Sequence, residues 1–209
     1  MPYGYLGQNT PNQTVSNSGV FSISDVASLE KQGKFGGSLE LIEEKTISAS
    51  SSAIFTDIKE TVYDVHFLQV ANFIPSVDNT GLRIRFFESG VEATSGYQYA
   101  YQINDGNGNQ APLQSTSGGN ILQILNTGNA TYESGSSYSY FYNLGNSSKY
   151  SFQTQHDIHI YYNGGVIRTM FGGGVLPNAS TVNQIKLYVS TGTFSATAKL
   201  YGVKQLWVL

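Results

Sequence analysis

His156-Asp157-Ile158-His159 is the densest run of chemistry-bearing side chains in the sequence, offering two imidazoles and a carboxylate, the donor types that hold zinc or another divalent ion. Strand periodicity works against that use. In an extended chain residues 156 and 159 point to opposite faces, so their rings cannot close on one ion without a bulge. Asp157, His159 and Tyr161 instead share a face opposite Ile158, Ile160 and Tyr162, and the expectation is a structural role. His66, flanked by Phe67 and Leu68, is likewise expected to be a packed or interface histidine rather than a catalyst.

Asp105-Gly106-Asn107-Gly108-Asn109 has the alternating oxygens of a calcium loop. Gln110 stands where that loop needs glycine and Thr116 where it needs glutamate, so a glycine-rich hairpin turn is the better reading. Among the carboxylates Glu43, Glu44, Asp64, Glu88 and Glu92, the adjacent pair Glu43 and Glu44 faces opposite ways in a strand and cannot act on one bond. A nucleophile elbow is missing, and Gly172-Gly173-Gly174 runs into Val175-Leu176-Pro177, which cannot open a phosphate-binding helix. With no assembled acid, base or nucleophile, the expectation is a protein that is not an enzyme, with no catalytic residue, metal or cofactor.

The elements that must position these residues are strands. Leu82, Ile84 and Phe86 alternate with Arg83 and Arg85, and Tyr97, Tyr99, Tyr101 and Ile103 alternate with Gln98, Ala100 and Gln102. The same period gives strands near 38–48, 61–71, 138–143, 149–154, 157–162, 183–190 and 193–204, with weaker ones near 53–58, 120–125 and 166–171. Turn chemistry at Asp78-Asn79-Thr80-Gly81, Asn104-Asp105-Gly106, Asn126-Thr127-Gly128, Asn163-Gly164-Gly165 and Gly172-Gly173-Gly174 separates them. One short helix is expected over 24–32, capped by Ser24 or Asp25 and stopped by Gly33. Short strands without βαβ alternation predict an all-β, antiparallel two-sheet sandwich, most simply a jelly roll, with an up-and-down barrel as the alternative. The division expected is an extended arm over 1–20 and a single sandwich domain over 21–209.

Composition narrows the class. Only 12% of the 209 residues are charged, against the roughly one quarter usual in globular chains, and there is no cysteine. Disulfide staples, thiolate metal sites and cysteine catalysis are excluded. A net charge of −3 supplies no cationic field for nucleic acid or anionic lipid. No apolar run approaches the roughly 20 residues that span a bilayer, and the opening Met1-Pro2-Tyr3-Gly4-Tyr5 lacks a signal-peptide pattern, so synthesis in a cytoplasm is expected.

Interaction surfaces are the remaining source of function. Fifteen tyrosines include the cluster Tyr132, Tyr138, Tyr140, Tyr142 and Tyr150. Such residues suit a protein interface or a sugar-binding groove, Tyr138, Tyr140 and Tyr142 above all, but also simply favour strands. The uncharged first twenty residues, with Tyr3, Tyr5 and Leu6 as anchors, and the apolar ending Leu206-Trp207-Val208-Leu209 suggest termini that engage neighbours. Tyr3, Tyr5, Leu6, Leu206, Trp207 and Leu209 are the expected partner-binding residues.

Longer stretches resemble a known group. Asn17 to Asp25 (NSGVFSISD) followed by Gly36 to Ile42 (GGSLELI), then Tyr63-Asp64-Val65, Leu82 to Val91 (LRIRFFESGV) and Tyr97 to Tyr101 (YQYAY) are similar to structural proteins of marine tailed phages, especially those of picocyanobacteria. So are Asn146 to Phe152 (NSSKYSF), Phe171 to Ser180 (FGGGVLPNAS) and the ending Ser190 to Phe194 with Lys199 to Lys204. The resemblance spans roughly residues 17–204. It implies a jelly-roll virion part made in the host cytoplasm, either a capsid decoration or cement subunit or a tail-fibre module. The implied partners are the phage major capsid protein or sister subunits in a homo-oligomeric assembly, with host glycan as the alternative, and neither nucleic acid nor membrane.

Overall fold

The computed structural model describes residues 38–204. Its strands, in chain order, are β1 (Leu39–Ser50), β2 (Ser52–Phe55), β3 (Val65–Pro75), β4 (Thr80–Glu88), β5 (Val91–Glu92), β6 (Tyr97–Asp105), β7 (Gln110–Gly118), β8 (Ile121–Thr127), β9 (Gly135–Tyr142), β10 (Ser151–Ile160), β11 (Ile167–Leu176), β12 (Val182–Val189) and β13 (Phe194–Val203). One sheet has eight strands in the order β1-β13-β3-β9-β10-β11-β6-β7; the other has the order β2-β12-β4-β5, with β8 also paired to β4. The result is an antiparallel two-sheet sandwich of jelly-roll type, as the period-two pattern implies. The expected arm, the 24–32 helix and the anchors Tyr3, Tyr5, Leu6, Leu206, Trp207 and Leu209 lie outside the described residues.

Alternation builds the core. Phe194, Ala196, Ala198 and Leu200 of β13 point inward and meet Leu82, Ile84 and Phe86 of β4 and Ile185, Leu187 and Val189 of β12 in one apolar cluster. Phe86 sets its ring edge-on to Phe141 at 5.8 Å, and Phe73 meets Phe194 at 5.7 Å. Each such side chain contributes roughly 1.5–3 kcal/mol by leaving water. Tyr97 is fully buried yet satisfied: its hydroxyl accepts from Phe86 N at 2.8 Å and donates to Ala93 O at 3.1 Å.

Three local expectations are corrected. The strands expected at 149–154 and 157–162 are one, β10, because Gln155 and His156 carry no turn chemistry and the alternation runs straight through them. Gly172-Gly173-Gly174 does not turn; it lies inside β11. A Cβ on Gly173 would sit 2.4 Å from Gln153 O, and one on Gly172 would sit 2.2 Å from Ala100 O, so these glycines let neighbouring strands approach closely. The polar edge strand β7 was not expected, since its sequence QAPLQSTSG lacks apolar alternation and holds a proline.

His66 is buried and packed, as expected, with Nε2 donating to Ile58 O at 2.7 Å. Burial lowers its pKa below the ordinary value of about 6.5. A histidine with a depressed folded pKa binds fewer protons folded than unfolded, so stability held at neutral pH is lost as pH falls below about 6.5. The melting temperature is therefore expected to drop between pH 7 and 5 by more in the native chain than in His66→Gln; equal slopes in thermal melts at fixed ionic strength would refute it.

Candidate functional site

The strand β10 is polar on its buried side and apolar on its exposed side. Ser151, Gln153, Gln155, Asp157 and His159 face the second sheet and are at most 5% exposed, whereas Phe152 and Ile158 face outward at 43% and 49%. Burying polar groups costs free energy unless they are hydrogen-bonded; Gln153 and Asp157 Oδ1 are, whereas Ser151 Oγ, the Gln155 amide and the His159 ring nitrogens have no hydrogen-bond partner among the described residues.

Gln123, projecting from β8, ties the sheets together. Its Nε2 donates to Ser137 Oγ at 2.8 Å, and its Oε1 accepts from Ser139 Oγ at 2.7 Å and from Gln153 Nε2 at 2.8 Å. Gln153 Nε2 also donates to Ser139 Oγ at 3.0 Å, and the Tyr101 hydroxyl lies 3.2 Å from both Gln153 Oε1 and Leu122 O. Burial pushes the Tyr101 pKa up, so the hydroxyl keeps its proton. Further along β10, Asp157 Oδ1 accepts from Met170 N at 2.8 Å and lies 3.4 Å from His159 Nδ1. Burial raises the Asp157 pKa, against the opposing pull of His159. These groups bind structure rather than substrate.

Turning the polar row inward sends aromatic and aliphatic side chains out. The strand register sets Gln69, Tyr138, His156 and Phe171 side by side across β3, β9, β10 and β11, with Phe67, Tyr140 and Thr154 in the next row. Phe67 packs against Tyr140 at 4.9 Å, Tyr201 at 5.9 Å and Tyr138 at 6.2 Å. His156 lies edge-on between Tyr138 at 5.8 Å and Phe171 at 6.3 Å. A hollow of about 400 Å³ opens among Phe67, Gln69, Tyr138, His156, Ile158 and Thr169. Aromatic rings interleaved with Gln69, His156 and Thr169 make this outer face the candidate site.

The sequence-derived candidates distribute as follows. Tyr138, Tyr140 and Tyr142 do share this face, Tyr138 the most exposed and Tyr140 and Tyr142 half-buried. His156 points outward and His159 inward, so the two do not converge. Asp105 is consumed by its hairpin: Oδ1 accepts from Asn107 N and Asn109 N at 3.0 Å each, and Oδ2 from Asn109 Nδ2 at 3.0 Å, bonds that lower its pKa. Glu92 pairs with Arg85 at 2.9 Å and Lys186 at 2.8 Å, Glu44 with Lys199 at 3.3 Å, and Glu88 accepts from Asn178 at 2.6 Å and from Ser180. No three His, Cys, Asp or Glu side chains among the described residues are grouped to hold a metal ion.

Phe67, Phe152, Ile158, Phe171 and Tyr201 are the face residues that sequence reasoning did not select. The signal lay in the alternation of β10, where every second residue from Ser151 to His159 is polar; that two-sided pattern shows two unlike faces without showing which is buried. Comparison of the chain with protein-family models, with curated proteins and with solved structures finds no match.

Proposed function

We propose that the chain is a non-enzymatic structural protein of a tailed-phage virion, a decoration or cement subunit held on the outer shell by protein–protein contacts. The inverted polarity of β10 carries the assembly part of this reading, because it commits a rigid eight-stranded sheet to an aromatic outer face centred on Tyr138, Phe67 and Ile158. Low charge, the tyrosine content and the resemblance over residues 17–204 support the virion setting. The mechanism is geometric: main-chain pairing and the Gln123–Gln153 network hold the face fixed, so docking orders few additional side chains.

Counting copies per particle by quantitative mass spectrometry tests the placement. A large icosahedral multiple is the expected result. A number in small multiples of the tail symmetry would overturn decoration and favour the second reading, a tail-fibre module that recognises host glycan. An uncharged groove elsewhere on the same sheet favours that alternative.

A further inference from the structure

The outer face of the large sheet has a second hollow, beside the Tyr138 cluster, and its chemistry differs. It encloses about 710 Å³ over β10, β11, β6 and β7. Cross-strand register explains its shape. Thr154, Gly173, Ala100 and Gln114 form one low row across the four strands. Phe152, Val175 and Gln98 form the next row on the same face and wall one side of it. The floor row crosses four strands about 4.8 Å apart, roughly 14 Å in all, long enough for a sugar ring. Neither glycine nor alanine raises the floor, so a ligand can lie against main chain.

We infer that this groove binds an uncharged glycan. Among the described residues its lining contains no Asp, Glu, Lys, Arg or His, which removes the counter-charge that a phosphate, sulfate or uronate would need. What remains is the complement of a neutral polyol. Phe152 offers an exposed ring for the apolar face of a pyranose. Gln98 and Gln114 are exposed and make no side-chain hydrogen bond to the described residues, so each amide has a donor and an acceptor free for neighbouring hydroxyls. A peptide strand would look for unpaired main chain, but β10, β11 and β6, which carry the floor at Thr154, Gly173 and Ala100, are paired on both edges; among the described residues only β7 ends the sheet here. The inference stands apart from the decoration reading, because the groove's chemistry is the same wherever the chain is mounted.

The test is amide NMR on the full chain, titrated separately with maltohexaose, cellohexaose and laminarihexaose, with oligogalacturonate as the charged control. At least one neutral hexasaccharide is expected to shift the side-chain amides of Gln98 and Gln114 and the main-chain signals of Gly173 and Ala100. Phe152→Ala should weaken that binding about three- to tenfold. Gln114→Ala should do so without altering the fold, since both side chains are exposed. Four results would overturn it: no shift with any neutral sugar at about 10 mM, equal shifts with oligogalacturonate, shifts confined to the Tyr138 face, or groove signals that move only with protein concentration, which would make a second copy the occupant. None of these bears on copy number, so the groove and the decoration reading fail separately.

Discussion

Tyr138→Lys combined with Ile158→Lys is expected to leave a folded protein that no longer docks through the proposed face. Both side chains are near half exposed on the outer face, at 44% and 49%, so neither substitution opens a cavity. Lysine keeps an aliphatic stem that can lie along the sheet, and the lost strand propensity and cross-strand packing are about 1 kcal/mol per site. With about 2–4 °C per kcal/mol for a chain of this size, the melting temperature should fall by less than roughly 8 °C. Docking is another matter. The hollow between Phe67, Tyr138, His156 and Ile158 would be desolvated at the centre of an interface, where two ammonium groups would be stripped of water. Truncations at such positions typically exceed 2 kcal/mol each, so association should weaken at least about 100-fold. Co-sedimentation with particles reads contact with the shell, and sedimentation velocity across a concentration series reads contact between sister subunits. Unchanged association in both would remove this face from the assembly.

Gln153→Ala is the second large effect, expected on stability. The side chain is 2% exposed and closes the network by donating to Gln123 Oε1 and Ser139 Oγ while its Oε1 lies 3.2 Å from the Tyr101 hydroxyl. Its removal takes a donor from two buried acceptors and leaves a void between the sheets. Buried groups that lose a partner cost about 1–3 kcal/mol, and the void adds to that, so a loss of about 3 kcal/mol is expected. That corresponds to a fall of roughly 6–12 °C in a chain of this size. Thr154→Ala, one residue along and facing outward, should move the melting temperature by no more than about 2 °C. Equal effects at 153 and 154 would show that the buried network contributes nothing.

The contrast between residues 153 and 154 marks how far the sequence could be read. Alternation by itself dictated strands, a two-sheet sandwich, and the impossibility of His156 and His159 meeting on one ion, because the period-two rule is local and needs no partner. It also placed Tyr138, Tyr140 and Tyr142 on one face. Glycine chemistry read locally misled at Gly172-Gly173-Gly174, where what selects glycine is a main-chain oxygen from the next strand. The carboxylates Glu88 and Glu92 have partners as far away as Ser180 and Lys186, distances along the chain that no motif spans.

Orientation is what only the tertiary structure decided. A strand such as β10, with Ser, Gln, Gln, Asp and His on one side and Phe, Thr, His, Ile and Ile on the other, is ambiguous in isolation. The ordinary expectation buries the apolar side. Here the polar side is buried, and at its centre Gln123 from β8 and Ser139 from β9 meet Gln153 with matching donors and acceptors. Those partners lie 14 to 30 residues away in sequence, and their geometry exists only after the sheets have paired. The composition determined a low-charge, cysteine-free β protein; the docking of one polar network determined which of its surfaces faces the outside.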